Sequence, residues 1–227
     1  NDRMKAGDTW FGTPAIQLPA REVLQGFDAD TTFRPGLTRW IGRVCIETLR
    51  IVIPMAFAVG FGYAIVYQVM PEVGNEDWLQ AAIELCQFGI LYGLSCMLFV
   101  LLLKWVFIRR YKPSSHPMWT PFVWLSEAIT NMYESMAVPN FMNYLRGTPL
   151  LPWALRLFGA KIGRGVYLDT TDMTEYDCVT VGDHAELNNL CSPQTHLFED
   201  RIMKIGAVNI ERGATIRARC TVLYDAT

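Results

Sequence analysis

The densest group of reactive side chains lies between positions 188 and 201. It comprises Asn188, Asn189, Cys191, Ser192 and Gln194, then Thr195-His196-Leu197-Phe198-Glu199-Asp200-Arg201. An imidazole titrates near neutral pH, so a neutral His196 can take the proton of an attacking hydroxyl or amine, the task of a general base in acyl transfer. Asp200 or Glu199 could orient the ring, and Asn188 or Asn189 could donate to the oxyanion that develops on an acyl carbon. A lone histidine in a polar loop also fits a structural role. His184, inside a regular repeat, and His116, in a proline-flanked loop, are read that way.

The elements that must position this cluster follow a six-residue beat. Ile162-Gly163-Arg164-Gly165-Val166-Tyr167 with Leu168-Asp169 sets it, Val181-Gly182-Asp183-His184-Ala185-Glu186 with Leu187 resumes it, and Ile210-Glu211-Arg212-Gly213-Ala214-Thr215 with Ile216 and Val222 repeats it. An aliphatic residue at every sixth position, each followed by Gly, Asp or Glu, predicts a left-handed parallel β-helix whose rungs bury together what one rung cannot bury alone. The beat slips by one residue between Leu168 and Val181. Between Leu187 and Ile210 the spacing is no whole number of hexads, so a loop is expected to leave the prism there, carrying His196 with it.

Ahead of the repeat lie two stretches without Asp, Glu, Lys or Arg, Ile51 to Met70 and Leu85 to Leu103. Each has about the ~20 residues needed to cross ~30 Å of hydrocarbon, so two transmembrane helices are predicted. They account for an apolar fraction of 51% and a charged fraction of 19%. Arg34, Arg39, Arg43 and Arg50 precede the first span, Lys104, Arg109, Arg110 and Lys112 follow the second, and no Lys or Arg lies between. That asymmetry predicts both termini on the cytoplasmic side of the cytoplasmic membrane. The net charge of -2 has no bearing on partners, because a basic inner collar and an acidic outer loop cancel; membrane lipid is an expected partner, from the two spans, and nucleic acid is not.

Four regions result: an N-terminal segment 1–36 too rich in Pro and Gly for a long helix, a helical hairpin 37–112, interfacial helices 113–158 and the β-helix 159–227. Pro54 is expected to kink the first span. Gly89 and Gly93 form a small-residue face for close backbone approach. Met118, Phe122, Leu125, Ile129, Met132 and Met136 mark a helical face, with Ser126, Glu127, Thr130, Asn131 and Glu134 on the other side. An acidic polar face is unlike that of a helix lying on anionic lipid, so this helix is either wedged between membrane and β-helix, near Trp119 and Trp124, or simply packed in the core. The six cysteines show no C-x-x-C spacing, and neither a metal site nor a disulfide framework is expected. No signal peptide is read at Asn1-Asp2-Arg3.

Leu145-Arg146-Gly147-Thr148-Pro149, Leu157-Phe158-Gly159-Ala160-Lys161-Ile162-Gly163, Glu175-Tyr176-Asp177 and Gln194 to Arg201 together resemble the C-terminal region of membrane-embedded nonribosomal peptide synthetases of the ε-poly-L-lysine synthetase type. The resemblance covers nearly the whole chain. It implies a module that forms peptide bonds from aminoacyl thioesters held on the phosphopantetheine of a carrier domain, with adenylation, carrier and neighbouring β-helix domains as partners and no cofactor bound in this chain. It implies His196 as the base, Arg201 against an anionic group of the pantetheine donor, and Thr195 and Asp177 as substrate contacts. On the same reading, Gly7 to Ala15 is the closing turn of a preceding β-helix domain and the final β-helix is incomplete at Thr227.

Two other readings share the scaffold. One is an acetyltransferase that uses acetyl-coenzyme A; the other is a non-catalytic β-helix that docks partner modules at the membrane. Adenylation and carrier sequences in the same reading frame would separate the first from a peptide-bond-forming module.

Overall fold

The computed structural model describes residues 9–11, 16–18 and 26–225. Strands β1 (Thr9–Phe11) and β2 (Ile16–Leu18) pair antiparallel; most of the Gly7 to Ala15 turn, and Thr227, lie outside the described residues. Helix α1 (Leu37–Gly74) spans 38 residues and runs through Pro54 and Pro71 without interruption. Asp77 caps α2 (Trp78–Leu103), its Oδ1 accepting from the Gln80 N–H at 3.1 Å. Both helices are long and apolar enough to cross a membrane.

Val52, Met55, Val59, Tyr63, Val66, Tyr67 and Met70 of α1 are all more than half exposed. So many large apolar side chains on one face are costly in water and cost nothing against hydrocarbon. The two helices meet through aromatic rings, Phe57 on Phe99 at 5.5 Å and Phe61 on Tyr92 at 4.9 Å between centroids. Gly93 does not serve that contact. A Cβ at Gly93 would collide with the carbonyl oxygen of Asn140, whereas Gly89 faces nothing within 4 Å, so the small residue admits the backbone that follows α3.

α3 (Pro121–Met132) begins at a proline, whose fixed φ suits a first helical turn. It continues through a π-helical turn, Tyr133–Ala137, into the short α4 (Val138–Asn140). Its apolar face buries Val123, Trp124, Ala128, Ile129 and Met132. α5 (Leu150–Phe158) ends at Gly159, whose φ of 112° is the left-handed geometry of a helix C-cap.

Beyond α5 the chain passes repeatedly through three small parallel sheets. β4 (Lys161–Ile162), β6 (Val179–Val181) and β11 (Val208–Ile210) stack in the first; β5 (Tyr167–Leu168), β7 (Glu186–Leu187) and β12 (Thr215–Ile216) in the second. β8 (Ser192–Gln194) and β13 (Thr221–Leu223) form the third. Register aligns Ile162 with Val181 and Ile210, Leu168 with Leu187 and Ile216, and Pro193 with Val222. The positions on the six-residue beat therefore stack on one another. The first pass has no third strand. Hydroxyl contacts stand there instead, Thr170 to the Cys191 carbonyl at 2.8 Å and Thr174 to Thr195 at 3.1 Å.

The loop expected to leave the repeat is a β-hairpin. β9 (His196–Glu199) and β10 (Ile202–Ile205) pair antiparallel, and β10 also pairs with β3 (Ser114–Pro117) just beyond the second long helix. Asp200 and Arg201 form its two-residue turn with φ of 50° and 63°, the backbone such tight hairpins require. One continuous core runs from Cys96 and Val100 of α2 through Tyr133, Phe158 and Tyr176 to Val181 and Ile210 of the strands. Gly93→Leu should cost about 1–3 kcal/mol through overpacking while Gly89→Leu costs little, read as thermal unfolding of the detergent-solubilised protein.

Candidate active site

His196 opens β9, and the hairpin carries its ring against the segment that replaces the missing strand. Nδ1 lies 2.8 Å from Oε2 of Glu175. The same oxygen accepts from the hydroxyls of Thr195 at 2.6 Å and Thr174 at 2.7 Å. Glu175 is 1% exposed, so three donors meet on one oxygen that is shut off from water. With Nδ1–H donating to that carboxylate, Nε2 is left as the nitrogen with the lone pair. Burial pulls the imidazole pKa down, but the hydrogen bond and charge of Glu175, helped by Glu127, outweigh it and the net shift is upward from 6.5.

The ring borders a cavity of about 250 Å³ lined by Arg50, Ser126, Glu127, Thr130, Asn131, Glu134, Glu175, His196, Phe198 and Met203. All five residues expected on the polar side of α3 are in this lining. That face therefore looks at the histidine, which accounts for acids where lipid contact would favour bases. α1 contributes Arg50, which pairs with Glu47, and Arg43, which is 3.3 Å from Glu127. Desolvation raises the pKa of Glu127 and of Glu134, the latter aided by Asp172.

Glu175 is held from behind. Its φ of 26° is strained for a residue with a Cβ, and the chain turns at once into a 3-10 turn, Tyr176–Cys178. Within that turn the Asp177 carboxylate meets Lys104 Nζ at 2.8 Å and accepts from the Tyr111 N–H at 3.1 Å. Lys104 is 0% exposed, at the start of the π-helical turn Lys104–Ile108 that ends the second long helix. A Cβ at Gly159 would lie 2.5 Å from Asp177 and 3.1 Å from Lys104, so the left-handed glycine also makes room for this pair.

The structure brings together His196 and Thr195 from the expected set, with Thr195 buried and bonded to Glu175 rather than open to substrate. Glu199 is paired with Lys204 at 2.8 Å. Asp200 sits in the hairpin turn, four residues and roughly 13 Å along an extended strand from His196. Neither is the ring's carboxylate; Glu175 is. Arg201, in the same turn, lies 3.7 Å from the Met118 sulfur. Asn188 donates to the Ile216 carbonyl at 3.0 Å, and Asn189 accepts from Arg146 at 2.6 Å beside the Arg146–Asp169 pair. Both asparagines thus brace corners of the strand stack. Asp177 is engaged by Lys104. His184 has φ of 59° on the outside of the stack, and His116 stacks on Phe122 at 4.0 Å. The residue missed as the ring's partner, Glu175, stands in the Glu175-Tyr176-Asp177 stretch; its signal was the one-residue slip between Leu168 and Val181.

Over 226 residues, 100% of this chain, the sequence is 53% identical to the Delta-poly-L-ornithine synthetase of Acinetobacter baumannii (strain AB307-0294). The chain spans 17% of that protein's length. The resemblance to amino-acid homopolymer synthetases read from the motifs is thereby borne out. No protein-family profile matches the chain, and no solved structure matches it.

Lys104→Met should destabilise the protein by about 2–4 kcal/mol by leaving the largely enclosed Asp177 carboxylate without its cation. Lys104→Met combined with Asp177→Leu should recover much of that loss. Thermal unfolding of the two variants against wild type checks both.

Proposed function

We propose that the chain is a membrane-anchored acyltransferase module of an amino-acid homopolymer synthetase, with His196 as general base. What carries the reading is the Glu175–His196 pair at the wall of a polar cavity, in a sequence 53% identical to a poly-ornithine synthetase. The incoming amine attacks the carbonyl carbon of an aminoacyl thioester on the phosphopantetheine of a carrier domain. A C–N bond forms as the C–S bond breaks; the amine proton passes to Nε2 of His196 and then to the departing thiolate, giving amide and free thiol. Asn131, whose side chain lines the cavity, is the donor assigned to the oxyanion. Glu175 is a positioning residue that fixes the tautomer and supports the imidazolium.

The scaffold in this reading is a left-handed parallel β-helix over 159–227, following a transmembrane hairpin over 37–112 and interfacial helices over 113–158, with 1–36 joining it to a preceding domain. The stacked register of the three parallel sheets supports the first assignment. The exposed apolar face of α1 and the absence of Lys and Arg between Ile51 and Leu103 support the second. Both termini then face the cytoplasm, where carrier and adenylation domains operate.

His196→Ala in the full-length synthetase should lower amide formation ~10² to ~10⁴-fold with adenylation and carrier loading intact; near-normal product would favour a scaffold role. Only the neutral ring is a base, so activity should fall as pH drops through a midpoint above 6.5, the direction of the His196 shift. Glu175→Gln removes the charge that raises this pKa and should move the limb to lower pH. Single cysteines at Gly74 and Lys112, with exposed Cys45, Cys86 and Cys220 replaced, should react from outside and inside the cell respectively.

A further inference from the structure

The basic residues at the inner ends of the two long helices are treated differently by the fold. On α1, Arg39 pairs with Asp30 at 3.2 Å, Arg43 with Glu127 at 3.3 Å and Arg50 with Glu47. Beyond α2, Lys104 is engaged by Asp177, but Arg109, Arg110 and Lys112 are exposed and have no carboxylate partner among the described residues. These three line a cavity of about 670 Å³ together with Trp105 and Ile108. Retention of positive charge on the cytoplasmic side asks only that such residues follow the span; it does not ask that they converge on one concave site. The backbone there is clamped. Arg109 has φ of 64°, its N–H donates to the Lys104 carbonyl at 2.9 Å, and its own carbonyl accepts from Lys104 Nζ at 2.8 Å.

An apolar surface adjoins these cations. Trp105, Val106 and Phe107 of the π-helical turn are exposed, the last two by more than half. The Trp105 indole N–H donates to the Leu157 carbonyl at 3.0 Å, which fixes the end of α5 beside that turn. α5 is apolar on both sides: Leu151, Leu155 and Phe158 are buried, whereas Leu150, Trp153 and Leu157, three and four positions apart, are each more than half exposed. A helix that is apolar all round belongs in a core or against hydrocarbon.

We propose that the inner end of α2 and the outer face of α5 form a binding site for an anionic phospholipid of the cytoplasmic leaflet. Arg109 and Arg110 hold the headgroup phosphate, to which a guanidinium can donate two parallel hydrogen bonds, and Lys112 adds a third charge. The acyl chains lie against Trp105, Val106, Phe107, Trp153 and Leu157. Basic pockets at this level of a membrane protein suit such headgroups. The assignment rests on α1 and α2 crossing the membrane and is independent of His196. It gives the strand stack a second contact with the bilayer, because β4 follows α5 after only Gly159 and Ala160.

The test places the full-length protein that contains this chain in phosphatidylcholine vesicles doped with phosphatidylglycerol that carries a photoreactive diazirine on an acyl chain; labelled residues are mapped by mass spectrometry. Label is expected at residues 105–107 and at Trp153 or Leu157, competed by an excess of plain phosphatidylglycerol and not by added phosphatidylcholine. Each Lys or Arg near an anionic surface contributes roughly fivefold in affinity. Arg109→Gln, Arg110→Gln and Lys112→Gln combined should therefore lower the labelling roughly 10- to 100-fold with thermal unfolding unchanged, while Arg109→Lys with Arg110→Lys should keep most of it. Arg212→Gln, on the exposed outside of the strand stack, should label as wild type does. Equal competition by phosphatidylcholine, or undiminished labelling of the triple variant, overturns the site. So does competition by inorganic phosphate alone, which would make it a phosphate site without a lipid, and so does an absence of label at these residues in wild type, which would mean that another segment of the protein covers them. In each of these cases resistance to alkaline carbonate extraction leaves the transmembrane reading standing; release by carbonate removes that reading and the site with it.

Discussion

A single buried ion pair fixes the relation between the long helices and the candidate chemistry. Lys104 ends α2 with no exposure to solvent, and its ammonium meets Asp177 at 2.8 Å. Two positions before Asp177 stands Glu175, whose carboxylate holds His196. Removing two charges from water is expensive unless geometry and further hydrogen bonds offset it. Here the Tyr111 N–H satisfies Asp177, and the Arg109 carbonyl accepts from Lys104 at 2.8 Å. The pair then works as a registry device: a shift of the helix end relative to the strand stack would leave the buried Lys104 ammonium and the largely enclosed Asp177 carboxylate without each other, so the helix end, the turn and the imidazole are set together.

The same junction explains two irregularities. The π-helical turn at Lys104–Ile108 redirects the end of the second helix toward the 175–178 turn, and such turns commonly accompany functional sites. The strained backbone of Glu175 places its side chain under β9 instead of in the parallel ladder. Strain of this kind persists where surrounding contacts over-determine it, and those contacts are Thr174, Thr195 and His196 on one side and the Lys104–Asp177 pair on the other.

The stacking positions were legible in the sequence because an aliphatic residue every sixth place is a periodic signal, and Ile162, Val181 and Ile210 do align. The excess length between Leu187 and Ile210 was legible as an excursion. Its form was not, since the hairpin is completed by Ser114–Pro117, some ninety residues upstream, and non-local pairing leaves no local mark. His196 was legible as the one histidine in a polar cluster, but proximity in sequence pointed to Glu199 and Asp200. An extended strand carries those residues away at ~3.3 Å per position, whereas stacking brings Glu175 alongside. The acidic side of α3 could be read as a face; what it faced required the fold.

The central claim is that Nε2 of His196 meets the acyl donor at this cavity. The most direct measurement is affinity labelling of the full-length protein that contains this chain with bromoacetyl-pantetheine, followed by mapping of the alkylated residue by mass spectrometry. The account predicts alkylation of His196, at a rate that falls as pH drops through a midpoint above 6.5. An unmodified His196 with alkylation elsewhere, such as in the groove between α5 and β5 lined by Arg156 and Tyr167, would contradict it.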